Sequence, residues 1–230
     1  MNYIKFKEQD SRYIDGLVIC ELPPITKPPM RFTETAIDGI DGSVIEEVGY
    51  QTYDKMLTIG ITPKAKIDDV IKFFSGKGDI IFSNEPDKCY KGIIVNQIDY
   101  IRLVRFRTAT VTFRVQPFKY KYEEIPVDND VDGVFYVENW GNTTSKPLIR
   151  LSGSGTVVCY VNGNSVFSYT FPANDTDVYI DSEVQDAYLG DVLKNRSMMG
   201  EFPILQSGIN EITFTGTVND AEILARSRWI

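Results

Sequence analysis

Through RTATVTFRV at 107–115 every second residue is apolar or small, the period of a strand that buries one face and wets the other. Shorter runs of strand character recur from end to end: 3–6, 17–22, 53–62, 79–82 and 89–98 precede it, and 133–138, 147–151, 156–161, 165–171, 177–181 and 210–215 follow. Short strands at that spacing, parted by turn residues, predict a mainly β chain whose second half is a sandwich. The step VNGN at 161–164 is the sharpest turn signal, because Asn162 and Gly163 tolerate the positive φ values that a type I′ hairpin demands.

Two segments break the pattern. TPKAKIDDVIKFFSG at 62–76 predicts one helix over 64–75: Thr62 can cap it, Pro63 suits the first turn, and Gly76 stops it. Ile67, Val70, Ile71 and Phe74 fall on one helical face, most simply a face packed on the sheet. The other segment, PPITKPPMRFTETAIDGIDG, carries four prolines and two Asp-Gly steps. Proline cannot donate to a sheet ladder, so residues 23–48 are expected to be an extended arm or long loop rather than core strand. An arm of that length needs something to lie against, which points to an oligomer with Pro23, Pro24, Pro28, Pro29 and Phe32 as contact candidates.

With 230 residues, 43% of them hydrophobic, the chain can fill one large core or two. Charge divides it: residues 1–125 carry 18 basic and 18 acidic side chains, residues 126–230 carry 6 and 14. We therefore expect a first domain at 1–125, a linker at 126–132 within the charged stretch after Pro117, and a sandwich at 133–230. The acidic half argues against nucleic acid, and Arg102, Arg105, Arg107 and Arg114, balanced by carboxylates, read as a solvated face or interface salt bridges with Arg105 and Arg107 on one side of a strand. No run approaches 18 apolar residues, so no membrane span is expected, and MNYIKFKEQD lacks the apolar run of a secretory signal. Cys20, Cys89 and Cys159 are widely spaced and read as separate strand thiols.

Candidate chemistry is sparse. The chain has no histidine, which removes Ser-His and Cys-His nucleophiles and the commonest neutral metal ligand. Asp128, Asp130 and Asp132 match the opening of a calcium loop, but position 12 is Asn139 and the carboxylate comes one residue early at Glu138. An acidic linker is the simpler reading, a non-standard cation site the alternative. Asp175, Asp177, Asp181, Glu183 and Asp186 could supply two acids for glycoside chemistry or could be solvated turns. Trp140 and Tyr160, among other aromatics of the second half, could contact a saccharide or fill the sandwich. No phosphate loop, zinc-protease motif or nucleophile elbow occurs, and no enzyme activity or cofactor is expected.

Taken together and in order, several stretches resemble the distal tail proteins (Dit) of long-tailed phages that infect Gram-positive bacteria. They are the proline-containing arm with Asp38-Gly39, the strand at 53–62, the helix, GDIIFSNEPDKCYKG at 78–92 and VTFRVQPF at 111–118. The second half adds NWGNTTSKPLIRLSGSG at 139–155, VNGN, and GEFPILQSGINEITFTG at 200–216. The resemblance implies a ring-forming N-terminal domain and an outward galectin-like or carbohydrate-module-like sandwich. It also implies a hexamer, as one ring or two stacked, at the virion's tail tip after assembly in the host cytoplasm. Its partners would be the major tail tube protein, a tail-associated lysin or tail fibre protein, and receptor-binding or upper baseplate proteins. Gly141, Asn142, Gly153, Gly155, Asn162 and Gly163 would then be turn residues of the fold. The rival expectation from another class is a carbohydrate-binding protein that uses the sandwich.

Overall fold

A computed structural model describes the chain except Ile40, Asn129, Val131, Asp132, Asn174 and the side chain of Arg102. It divides into two compact units, Met1–Tyr122 with Ile230, and Glu123–Trp229.

The first unit runs β1 (Ile4–Phe6), β2 (Gln9–Asp10), β3 (Leu17–Glu21), β4 (Met30–Ala36), β5 (Ser43–Tyr50) and β6 (Tyr53–Ile61). It continues through α1 (Ile67–Phe73), β7 (Lys77–Phe82), β8 (Lys88–Ile94), α2 (Tyr100–Phe106) and β9 (Thr108–Lys121). An antiparallel sheet in the order β2-β1-β7-β8-β9-β6-β3 curls so that its end strands and its centre share one core. Alternation sets the faces: along β6, Leu57 and Ile59 point in while Asp54 and Met56 point out. Aromatic edges lock the centre, with Phe6 against Phe73 at 6.3 Å and against Phe113 at 5.4 Å.

The helix differs from the sequence expectation. It is Ile67–Phe73 rather than 64–75, because residues 63–66 form a turn in which Ala65 N–H donates to the Thr62 carbonyl at 3.0 Å. Lys66, not Thr62, is the N-cap and gives no side-chain bond. Val70, Phe73 and Phe74 are its core contacts. A second helix, α2, was not expected. It places Arg105 on a helix and Arg107 at positive φ just after it, so the strand-face reading of those two arginines does not hold.

The second unit runs β10 (Val134–Asn139), β11 (Leu148–Val161), β12 (Asn164–Thr170), β13 (Asp177–Asp181), β14 (Asp186–Leu189), β15 (Val192–Leu193), β16 (Met198–Gly200) and β17 (Gly208–Leu224). Two long strands organise it. The first part of β11, from Leu148 to Ser152, lies between β13 and the end of β17; its last part, from Val158 to Val161, lies between β12 and the start of β17. One hydrogen-bonded sheet thus folds over into two layers, and inward residues of both, Val157, Cys159 and Phe167 with Ile149, Leu151 and Ile180, meet in a single core.

The fold line runs through the glycines. Register shifts lie between Ser152 and Gly153 and between Ser154 and Val158. A Cβ on Gly153 would meet the Thr217 carbonyl oxygen at 2.3 Å. Gly153 and Gly155 therefore sit inside one continuous strand and bend it; they do not form the turn between two strands that the sequence suggested. Ahead of β10, Val127 exchanges two 2.8 Å backbone bonds with Ile223, so part of the stretch read as linker joins this unit's sheet.

Candidate assembly site

The arm is neither loop nor core. From Pro29 it becomes a two-stranded hairpin of its own, β4 with β5, paired from Met30↔Tyr50 to Ala36↔Ser43. Every described residue from Arg31 to Val48 is exposed. Phe32 is 57% exposed and Ile45 63%, on the face they share with Glu34 and Glu47; Val44 and Val48 are likewise exposed. A lone two-stranded hairpin is marginal in water, and apolar side chains on it gain nothing until they are covered.

The root of the hairpin is built differently. Pro23 and Pro28 are buried, Pro24 and Pro29 exposed. Asn84 Nδ2 donates to the Pro23 carbonyl at 3.0 Å, and Lys55 Nζ donates to the Pro24 carbonyl at 2.9 Å. Lys55 occupies an inward position of β6 and is only 2% exposed. Around it stand the Tyr90 ring at 4.8 Å, the Tyr53 ring at 5.6 Å and the Phe82 ring at 5.8 Å. The carboxylate of Glu85, also buried, takes Lys119 Nζ at 2.8 Å and the Tyr90 hydroxyl. Burial pushes Lys55 down to about 8; Glu85 opposes that shift and Lys119 adds to it. Burial pushes Tyr53 up to about 12, and its hydroxyl has no hydrogen-bond partner among the described residues. Alternation in YDKML could have marked Lys55 as an inward cation, since Tyr53 and Leu57 flank it on the same face.

On the opposite, wet face of this sheet Arg114 grips Asp54 through two bonds of 2.8 and 2.9 Å. That pair accounts for one of the four arginines read as a solvated face or interface salt bridges. Ile101, Val104 and Phe106 of α2 are exposed, an apolar stretch that the arginines around it hid from sequence reading.

In the second unit the turn candidates separate into kinds. Asn162 at φ 50 and Gly163 at φ 79 make the two-residue turn from β11 to β12. Gly141 is fixed by proximity: a Cβ there would lie 1.8 Å from the Arg228 carbonyl oxygen. Its N–H donates to Asn139 Oδ1 at 3.0 Å while Asn139 Nδ2 donates to the Thr143 carbonyl at 2.8 Å, and Asn142 lies within that turn. Sequence reading missed Asn210, fully buried, whose side chain bonds Gln206 N–H and the carbonyls of Gln206 and Gly208.

The candidate acids are engaged in structural pairs. Asp175 pairs with Lys194, Asp177 with Arg150, and Asp181 with Arg226; Asp186 accepts from Asn195 at 2.7 Å, and Glu183 lies 3.6 Å from Arg226. Burial alone would raise Asp181, but the Arg226 guanidinium and the Glu183 and Val184 N–H groups hold it below the usual carboxylate range. Asp128 and Asp130 line a shallow cleft beside Phe135, Phe214 and Asp220, and Asp130 accepts the Gly133 N–H at 2.7 Å; Asp132 lies outside the described residues. No group of three or more metal-ligating side chains converges among the described residues. Trp140 is 58% exposed and Tyr160 half-buried, while Tyr179 and Tyr188 stack in parallel at 5.6 Å on neighbouring strands.

No family model matches the sequence, and no curated protein does. Solved structures do. The crystal structure of SPP1 Dit (gp 19.1), described as a paradigm of the hub adsorption apparatus in phages infecting Gram-positive bacteria, superposes with a TM-score of 0.71 at 16% identity, covering 97% of each chain. Chains from the phage p2 baseplate in its activated conformation, one structure with strontium and one with calcium, superpose with TM-scores of 0.54 at 9% identity, again over 97% of each chain. Both units, in their order along the chain, fall within those matches, and the chain has a Dit-like fold from end to end.

Proposed function

We propose that this protein is a structural hub at the distal end of a long, non-contractile phage tail. Six copies form a ring, single or stacked back to back, that joins the major tail tube protein to a tail-associated lysin or fibre protein and to other baseplate components. The protein would reside at the tail tip of the virion and assemble in the host cytoplasm. The observation that carries this reading is the end-to-end fold likeness to a phage hub protein, 97% of each chain. The exposed hairpin supports it: a first unit that projects apolar side chains on a marginal two-stranded element needs a neighbour to cover them, and in a cyclic array each copy covers the next. Balanced charge in the first half suits close packing of like subunits, and the acidic second half suits an outer, hydrated position.

Light scattering during size-exclusion chromatography tests the stoichiometry. The expected mass is six times 26.1 kDa, or twice that for stacked rings; a mass of 26.1 kDa at micromolar concentration contradicts self-assembly of the ring. Exposed Trp140 favours a second reading, saccharide binding by the second unit. A glycan screen in which Trp140→Ala removes all binding would support it.

A further inference from the structure

We infer that Lys55 and Asn84 form a clamp that fixes where the hairpin arm leaves the first unit. The segment they hold cannot hold itself. Pro23 and Pro24 have no N–H, and their carbonyls lie beyond the end of β3 with no ladder partner, so donors must come from side chains. Asn84, next to Glu85 in the turn after β7, takes the Pro23 carbonyl, and Lys55 takes the Pro24 carbonyl.

The return side of the hairpin needs no such help. Only Gln51 and Thr52 separate β5 from β6; Gln51 N–H donates to the Pro29 carbonyl at 3.0 Å, and the Tyr50 ring meets Phe118 edge-on at 6.0 Å. The outgoing side has eight residues, 22–29, between β3 and β4, of which 24–27 and 29 are exposed. Release of the two carbonyls would leave that side attached mainly through Leu22, which packs against the core, and the buried rings of Pro23 and Pro28.

A core role alone does not explain the lysine. At an inward position between Tyr53 and Leu57, methionine would fill the space without the desolvation that a buried ammonium suffers, and one carboxylate, Glu85, faces two buried lysines. What a methionine cannot do is donate to Pro24. The inference concerns the first unit by itself and holds whether or not the protein forms a ring; its bearing on assembly rests on the ring reading.

Hydrogen exchange read by mass spectrometry on the full chain tests it with Lys55→Met and Asn84→Ala. Amides of residues 30–50 should exchange about tenfold faster in Lys55→Met and severalfold faster in Asn84→Ala, while those of β9 keep their wild-type rates. Asn84 is exposed, so its variant is expected to fold; hairpin exchange within twofold of wild type in Asn84→Ala overturns the clamp. If β9 exchanges as fast as the hairpin in Lys55→Met, the lysine serves the fold of the unit, which also overturns its assigned role.

Discussion

The two units solve the same problem, a sheet with an apolar face, in opposite ways. The first curls its sheet around two short helices and sends β4 and β5 outward with Phe32, Val44, Ile45 and Val48 uncovered. The second doubles one sheet upon itself along Gly153 and Gly155, so that β11 and β17 each serve both layers. Closure by folding over needs close backbone approaches, and the second unit shows them at Gly141 and Gly153. Closure around helices leaves room for a buried polar cluster, which the first unit fills with Lys55, Glu85 and Lys119. The difference leaves apolar side chains uncovered on the hairpin of the first unit and a self-contained core in the second.

Core truncation should treat the units alike. Phe113→Ala in the first and Phe167→Ala in the second, both fully buried, should each lose about 3–5 kcal/mol in denaturant unfolding. A cost below about 1 kcal/mol at either position would mean that unit lacks the tight core described. Gly141→Ala tests the tightest approach, since a Cβ there would lie 1.8 Å from the Arg228 carbonyl oxygen, against 2.4 Å from the Ala65 nitrogen at Gly16 in the first unit. With the Arg228 carbonyl in the way, a cost at or above the usual overpacking range of about 1–3 kcal/mol is expected.

Alkaline titration should move the units apart between pH 8 and 9, before Cys89, Tyr53 and Tyr90 in the first unit, all pushed up by burial, cost it stability as Cys159 does the second. Lys55 has a folded value of about 8 against an ordinary 10.5, so between those pH values the unfolded chain holds more protons and this group makes the first unit gain stability as pH rises. Cys159 is pushed by burial from 9 up to about 12, so the folded chain keeps a proton that the unfolded chain releases, and stability falls as pH climbs above 9. Each slope is at most about 1.4 kcal/mol per pH unit. Lys55→Met should abolish the gain between pH 8 and 9, and Cys159→Ala the loss above 9; unchanged pH profiles of melting temperature in both variants would contradict the burial argument.

The smallest effect on stability should come from the arm. Phe32→Asp and Ile45→Asp lie on exposed positions and should shift unfolding by no more than about 0.5 kcal/mol, yet convert the assembled species to smaller ones in light scattering. If both variants assemble like wild type, the hairpin is not the ring contact.

Much of this was legible because strands announce themselves by period. RTATVTFRV lies almost wholly within β9, and Asn162-Gly163 is where the chain turns between β11 and β12. What escaped had physical causes. YIRLVRF has β-branched and aromatic residues and, among its described side chains, a single fully buried one, Leu103, so α2 leaves no helical stripe to read. Gly153 and Gly155 look the same in sequence whether a strand ends or folds over, since both need a backbone without a Cβ. Asp-Gly and proline in the arm mask strand character that β4 and β5 realise only on both sides of the turn. Of the arm residues expected as contacts, Pro23 and Pro28 are buried at the root while Pro24, Pro29 and Phe32 are exposed, and Ile45, which no proline marks, is exposed on the same face as Phe32.

An electron-microscopy reconstruction of the purified assembly, with the chain traced from Met30 to Tyr50, tests the central claim most directly. The account predicts a six-fold ring with a central opening in which each hairpin lies against the adjacent copy and covers Phe32 and Ile45. Particles without six-fold symmetry, or a hairpin folded back on its own unit, would contradict it.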